Sequence, residues 1–315
     1  MKKLLIVSDG KAGHENQSKA FCQALGYPYD CVGVRYPWRF YKMLSFLADR
    51  FSIFTERLFK LEAFPGDNYY AAVVCTGSTA FYPGKVTARR LGAPVAAILY
   101  PGGYRLSTFD CIMAPSFDQP PSEPNLIRIP VNLTAVDEAF YANAVEAFTK
   151  LHTPGRPAAG VVIGGPTPFS PMTPETLTRH LDALFRLTEG CERWVTTSRR
   201  TPAWAEELVG CYPFDYTLIY SRDDTFNPIP AFVMLCGRLF VTADSTGMIS
   251  EAVTCGNAMV EVLEAPSGKE CKFSRFLGDL AACGAAHVFD GTLGAAAAKI
   301  DLSPVFEQAR HLLRL

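Results

Sequence analysis

The stretch 239-LFVTADSTGMISEAVTCGNAMVEV-262 reads as strand, turn, helix and strand in immediate succession. An apolar run ends at Thr242. Asp244, Ser245, Thr246 and Gly247 then make a turn of small residues that opens a helix. Gly256 closes that helix before a second apolar run at 259–262. Continuous apolar runs suit parallel strands buried on both faces, and strand–helix–strand is the repeat of a doubly wound sheet. The turn also carries chemistry. Ser245 and Thr246 can cap the helix and share its N-terminus with a phosphate, because both draw on the same free N–H groups. Glu251 lies about a turn and a half further along, from where its carboxylate could reach back to a ribose diol.

Outward from this stretch, the same alternation runs along the chain. Apolar runs at 3–7, 71–75, 95–99, 111–114, 126–129, 160–163, 193–197, 214–219 and 287–289 read as strands. Segments 15–25, 85–91, 174–188, 230–236 and 248–254 read as helices. The Pro/Gly-rich segment LHTPGRPAAG, 151–160, follows a helical pattern over 136–151 and reads as a boundary. After it, AGVVIGGPTP (159–168) begins as KKLLIVSDG (2–10) does, with an apolar strand and a glycine turn. The expectation is an α/β protein of two Rossmann-like doubly wound domains facing a cleft. They would span 1–150 and 151–315, with the last helix returning to the first domain.

Composition narrows the class. The 315 residues are 49% hydrophobic and 19% charged, ordinary for a chain with real cores. A formal net charge of -1 offers no global field for nucleic acid, which is not expected as a partner. The ten cysteines show no C-x-x-C spacing and several sit in apolar runs, so reduced core thiols are expected. The five histidines show no metal-ligand spacing, and neither a metal nor a cofactor is expected. The first apolar run is only Leu4 to Val7, broken by Ser8 and Asp9, too short for a signal peptide or a membrane span. A cytoplasmic location follows as the expectation, with peripheral contact on the inner face of the membrane.

Four loops can carry a site. SDGKAGHENQ, 8–17, takes the first strand through Gly10 and Gly13 into a helix. Asp9, Lys11, His14, Glu15 and Asn16 crowd into this one turn at the carboxyl end of a strand, where α/β proteins place their sites. It is neither G-x-G-x-x-G nor a Walker loop. CTGSTAFYPGK, 75–85, ends another strand in Gly77, Ser78 and Thr79, and LYPGGY, 99–104, ends the next. IGGPTPFS, 163–170, offers Gly164 and Gly165 as a diphosphate contact. WVTTSRRTP, 194–202, sets Arg199 and Arg200 beside Ser198, which suits phosphate charge. The plain alternative for each is an ordinary strand-to-helix turn.

Residues 35–61, RYPWRFYKMLSFLADRFSIFTERLFKL, stand apart. Phe40, Leu44, Leu47, Phe51, Phe54, Leu58 and Leu61 recur at alternating spacings of four and three, one helical stripe. Met43, Phe46 and Ile53 widen it. Arg35, Arg39, Lys42, Arg50, Arg57 and Lys60 stand against only Asp49 and Glu56, an excess of +4 (six minus two). Two readings are open: ordinary core helices, or a basic-aromatic surface that sits on anionic lipid and presents a lipid-linked acceptor.

The run TADSTGMISEA, helix, CGNAMVEV resembles the nucleotide-sugar-binding segment of GT-B glycosyltransferases, and SDGKAGHENQ resembles the N-terminal glycine-rich loop of that fold. More closely, DGKAGHENQ, TTSRRTP, NPIPAF and TADSTGMISEA, in this order, are similar to the mitochondrial fission (elongated-mitochondria) family of bacteria and plants. The resemblance implies that Ser245, Thr246 and Glu251 contact the diphosphate and ribose, with Arg199 and Gly165 close by. It places His14 or Asp9 towards the acceptor. The expected donor side is thus Gly164, Gly165, Ser198, Arg199, Asp244, Ser245, Thr246 and Glu251. The expected acceptor side is Gly10, Lys11, Gly13, Glu15, Asn16, Gly77, Ser78 and Thr79, with His14 and Asp9 as catalytic residues. The implied activity is metal-independent transfer of a sugar from a nucleotide-sugar donor to a cell-envelope or lipid-linked acceptor. One alternative is a nucleoside-diphosphate-sugar 2-epimerase, for which His14, Asp9, Glu15 and Asp244 are the acid/base candidates. Another is a non-catalytic, membrane-associated interaction protein on a transferase-like scaffold.

Overall fold

A computed structural model describes residues 2–62, 64, 66, 69–134, 137–168, 170–220, 226–263 and 271–315. Two compact units are formed: Met1–Val136 with Asp301–Leu315, and Asp137–Ile300.

The first unit runs β1 (Lys3–Ser8), α1 (Ala12–Ala24), β2 (Tyr29–Arg35), α2 (Arg39–Arg50), β3 (Lys60–Glu62), β4 (Tyr70–Thr76), α3 (Phe81–Leu91), β5 (Val95–Ile98), β6 (Cys111–Pro115) and β7 (Leu126–Ile129). Its sheet has the order β3-β2-β1-β4-β5-β6-β7. All neighbours are parallel except β2 and β3, paired Val34 to Leu61. Leu5, Val7, Val73, Cys75, Ala97 and Ile112 pack in one core beside the sheet. The apolar runs of β1, β4, β5, β6 and β7 forecast these strands. β2 and β3 were not forecast, because YDCVGVR and KLE are too polar to read as buried runs; β3 is the sheet's edge strand and β2 the one next to it.

Residues 35–61 do not form the single helical stripe expected of them. Helix α2 stops at Arg50. Ile53 N then bonds back to Ala48 O (2.8 Å), and Ser52 adopts φ +57. Residues 60–62 are drawn into the sheet as β3, so the apolar period continues while the backbone does not. The buried residues of α2 are Ser45 and Asp49. Asp49 pairs with Lys85 of α3 at 2.7 Å, both side chains being at most 1% exposed. Arg105 N donates to Asp49 (2.7 Å), Lys85 donates to Arg105 O (3.0 Å), and Lys85 Nζ lies 4.1 Å from the centre of the Phe109 ring. The ion pair is satisfied on every side, as burial of charge demands.

The second unit runs α4 (Glu138–Leu151), β8 (Ala158–Ile163), α5 (Pro174–Leu187), β9 (Glu192–Thr197), α6 (Ala203–Gly210), β10 (Tyr216–Leu218), α7 (Ile229–Leu235), β11 (Cys236–Thr242), α8 (Thr246–Thr254), β12 (Met259–Leu263), α9 (Lys272–Ala282) and β13 (His287–Val288). Its sheet is parallel throughout, in the order β10-β9-β8-β11-β12-β13. Helix α4 lies in this unit, though the break was expected at 150. Asp137 caps it by accepting from Ala139 N (2.9 Å). Phe148 packs 4.9 Å from Trp194 and 5.5 Å from Phe232, centre to centre. Of the expected 136–151 helical pattern, Val136 lies outside the described residues. The expected linker is pinned by Glu192, which accepts from Gly155 N (2.7 Å), Arg156 N (3.2 Å) and Trp194 Nε1 (2.9 Å).

The last helix, α10 (Ser303–Leu313), packs on β6, β7 and α1 of the first unit. Its Phe306 sits 6.4 Å from Phe21, and Arg310 donates to Ala24 O (3.3 Å). None of the ten cysteines is in a disulfide, and Cys22, Cys75, Cys111 and Cys236 are buried. Among the described residues no helix is long and apolar enough to cross a membrane.

Candidate functional site

In a doubly wound sheet the crevice lies where the strand order changes direction, beyond the carboxyl ends of the strands. That point is between β1 and β4 in the first unit and between β8 and β11 in the second. The sequence-marked loops lie at these two places.

In the first unit the loop after β1 meets the loop after β4. The Asp9 side chain is almost fully buried and holds His14 Nδ1 at 3.1 Å, with Lys11 Nζ at 3.7 Å. Lys11 N also donates to Asp9 Oδ1 (3.2 Å), which folds the turn before α1. The imidazole lies across Gly77. A Cβ there would collide with Cε1 and Nδ1 of the ring, and φ at Gly77 is +85, so only glycine serves. Ser78 and Thr79 follow, and both accept from Lys42 of α2, at 2.9 and 3.3 Å. Tyr104 OH donates to Ser78 O (2.8 Å). Asp9, His14, Lys11, Gly77, Ser78 and Thr79 therefore converge, and Lys42 joins them. Gly10 (φ +76) and Gly13 have open space around them. Glu15 is occupied by Ser8 Oγ (3.1 Å) and Lys19 (2.7 Å), which hold its carboxyl below the usual range. Asn16 is exposed on α1. The LYPGGY loop serves packing: Gly103 (φ +87) admits Phe46, which stacks on Tyr104 with ring centres 4.3 Å apart.

In the second unit the buried Asp244 locks three loops together. It accepts from Thr242 Oγ1 (2.6 Å), Gly165 N (3.1 Å) and Arg200 Nη2 (2.6 Å). Thr242 Oγ1 accepts from Gly164 N (2.7 Å). A Cβ at Gly164 would overlap the Asp244 carboxylate, and one at Gly165 would overlap Arg200 O. The Gly-Gly turn is therefore required first by this close approach of loops. Ser198 accepts from Arg200 N (3.2 Å), and Thr201 bonds back to Ile163 O and Gly164 O (2.9 and 2.8 Å). Ser245 caps α8 by accepting from Met248 N (3.4 Å), and Thr246 is the first residue of that helix. Asp244 is thus a positioning group, its oxygens consumed within the protein. Arg200 is the arginine in the cluster. Arg199 is exposed beside it, with no ion pair or hydrogen bond among the described residues.

Glu251, on α8, accepts from Tyr141 OH of α4 at 3.4 Å. Burial pushes its carboxyl up to about 7, and the Tyr141 bond only partly opposes this. Such a carboxyl is an acid and a base within reach of neutral pH. Thr201 and Thr242 lie within the TTSRRTP and TADSTGMISEA motifs but had no site role assigned, and Tyr141 is marked by no local motif. Lys42 had been counted only with the basic patch.

Both sheets define the GT-B class of fold. UDP-GlcNAc 2-epimerase from Methanocaldococcus jannaschii superimposes with a TM-score of 0.53 at 11% identity, over 99% of this chain and 92% of that one. ADP-heptose lps heptosyltransferase II of E. coli gives 0.48 at 12% identity, over 99% and 98%. No curated protein sequence matches. The family profile described as Mitochondrial fission ELM1 matches residues 12–314, so the chain belongs to that family.

Proposed function

We propose that the protein is a nucleotide-sugar-using enzyme of the GT-B type, most simply a glycosyltransferase, with the donor on the second unit. One observation carries this reading. The turn at Gly164 and Gly165, the Ser198–Arg200 loop and the N-terminus of α8 meet at the β8/β11 switch point under the hold of Asp244. Backbone N–H groups at the start of a helix, with the exposed guanidinium of Arg199, suit a diphosphate. Glu251 faces the ribose in this reading. A leaving diphosphate stabilised in this way needs no cation. Support also comes from a fold relative named as a UDP-GlcNAc 2-epimerase.

On the first unit Asp9 fixes the His14 tautomer at Nδ1 and leaves Nε2 to take a proton from an acceptor hydroxyl. That oxygen attacks the anomeric carbon as the bond to the diphosphate breaks. The acceptor is a cell-envelope or lipid-linked glycan, brought by a membrane that residues 35–61 contact on its inner face. Calorimetry with nucleoside diphosphates should show binding that Glu251→Ala and Ser245→Ala weaken while the fold stays intact. Equal binding by wild type and Glu251→Ala would falsify the donor assignment.

A second reading, a nucleoside-diphosphate-sugar 2-epimerase, is favoured by the Glu251 carboxyl, which burial raises to about 7 and which so suits proton exchange at a sugar carbon. Incubating UDP-GlcNAc without an acceptor separates the two: epimerisation alone would replace transfer.

A further inference from the structure

Helix α2 packs Phe46 and Ala48 against the core, yet the residues it buries fully are polar and a row of apolar ones stays outside. Its inner face buries Ser45 and Asp49, while Trp38, Phe40, Met43, Leu47, Phe51 and Ile53 are 52–73% exposed. Phe40, Met43 and Leu47 share one face at helical spacing, and Phe51 continues it. The cause is the ion pair to Lys85. Once Asp49 is drawn inward, the apolar residues on the opposite side of the helix must face out.

The charges around this face have one sign. Arg39 and Arg50 flank the apolar row, and neither has an ion pair or hydrogen bond among the described residues. Arg105 lies against Ser52 Oγ at the end of the helix. The two acids of the segment are withdrawn, Asp49 by burial and Glu56 by Arg90 at 3.3 Å. An apolar, aromatic centre with a positive margin complements a negatively charged lipid interface, where apolar groups enter the headgroup boundary and guanidinium groups meet phosphates. A second copy of the same face would oppose like charges.

We propose that the outward face of α2 is a docking surface for anionic phospholipid. This sharpens, and rests on, the reading of the first unit as the side that takes a membrane-borne acceptor. Lys42 belongs to the same helix and reaches Ser78 and Thr79 beside His14, so the docking surface and the candidate site share one rigid element.

The test is flotation of the full chain with phosphatidylglycerol/phosphatidylcholine vesicles and with pure phosphatidylcholine vesicles. Wild type should float with the anionic vesicles and release in high salt. Phe40→Ser/Met43→Ser/Leu47→Ser should lose at least about tenfold in partitioning, and Arg39→Glu/Arg50→Glu should lose binding to anionic vesicles alone. All these side chains are exposed, so melting curves should match wild type. Failure of wild type to float, equal flotation on neutral vesicles, or undiminished flotation of the triple variant overturns the proposal. So does a wild-type dimer that the triple variant converts to monomer in sedimentation velocity. Calorimetric nucleotide binding on the same samples tells loss of docking apart from loss of the donor site.

Discussion

His14 owes its position to two residues of very different visibility. Asp9, five positions away, can be guessed from the turn. Gly77, in the turn after another strand, cannot, because nothing local says that its missing Cβ makes room for an imidazole. Gly77→Ala should cost about 1–3 kcal/mol from the left-handed backbone alone. It should also expel the ring, so that denaturation and turnover fall together, whereas His14→Ala should spare stability. Glu251 gives a second prediction. Its carboxyl is raised from 4.5 to about 7, so the folded state binds the extra proton. The stability tied to that proton is complete below pH 4.5 and lost as pH rises through 7. Denaturant midpoints at pH 5 and pH 8 should therefore differ less in Glu251→Gln than in wild type; an unchanged difference would remove the claim. Tyr141, which touches Glu251 across 110 positions of chain, shows why the site was only half legible. Spacing reveals partners within a turn, not partners that the fold supplies.

At the scale of elements the sheets were readable where strands are buried on both faces. β1, β4, β8 and β11 are apolar runs with no alternation, and they carry both switch points. The polar strands β2 and β3, on the outer side of the first sheet, gave no such signal. Helix α2 is the instructive case. Its periodicity announces an apolar stripe but not the direction in which the stripe faces. That direction is set by Lys85, which meets Asp49 from another helix. Asp49→Asn should cost about 3–5 kcal/mol, since it strands a buried ammonium. Replacing both partners, Asp49→Leu with Lys85→Met, should be much milder than either single change. Urea denaturation of the three variants forms the cycle, and simple additivity would show that the pair is not coupled.

For the whole molecule, the two-sheet architecture was legible from the repeated strand and glycine turn, whereas the contacts that hold α4 and α10 were not. Those helices are placed by Phe148 against Trp194 and by Phe306 against Phe21, contacts that no local pattern reports. Phe306→Ala should destabilise the first unit by about 3–5 kcal/mol. Hydrogen exchange should then rise across β6, β7 and α1 while β8 and β11 keep their protection. A uniform rise over both sheets would mean that the units unfold as one. The return of α10 also sets an order in time. On a ribosome, residues 137–300 emerge in full before Asp301–Leu315 follow. At about 5–20 residues per second, those 164 residues take roughly 10–30 s. Throughout that interval β6 and β7 wait without their covering helix, so the inserted unit can mature first and the earlier-made sheet is the one exposed to chaperones.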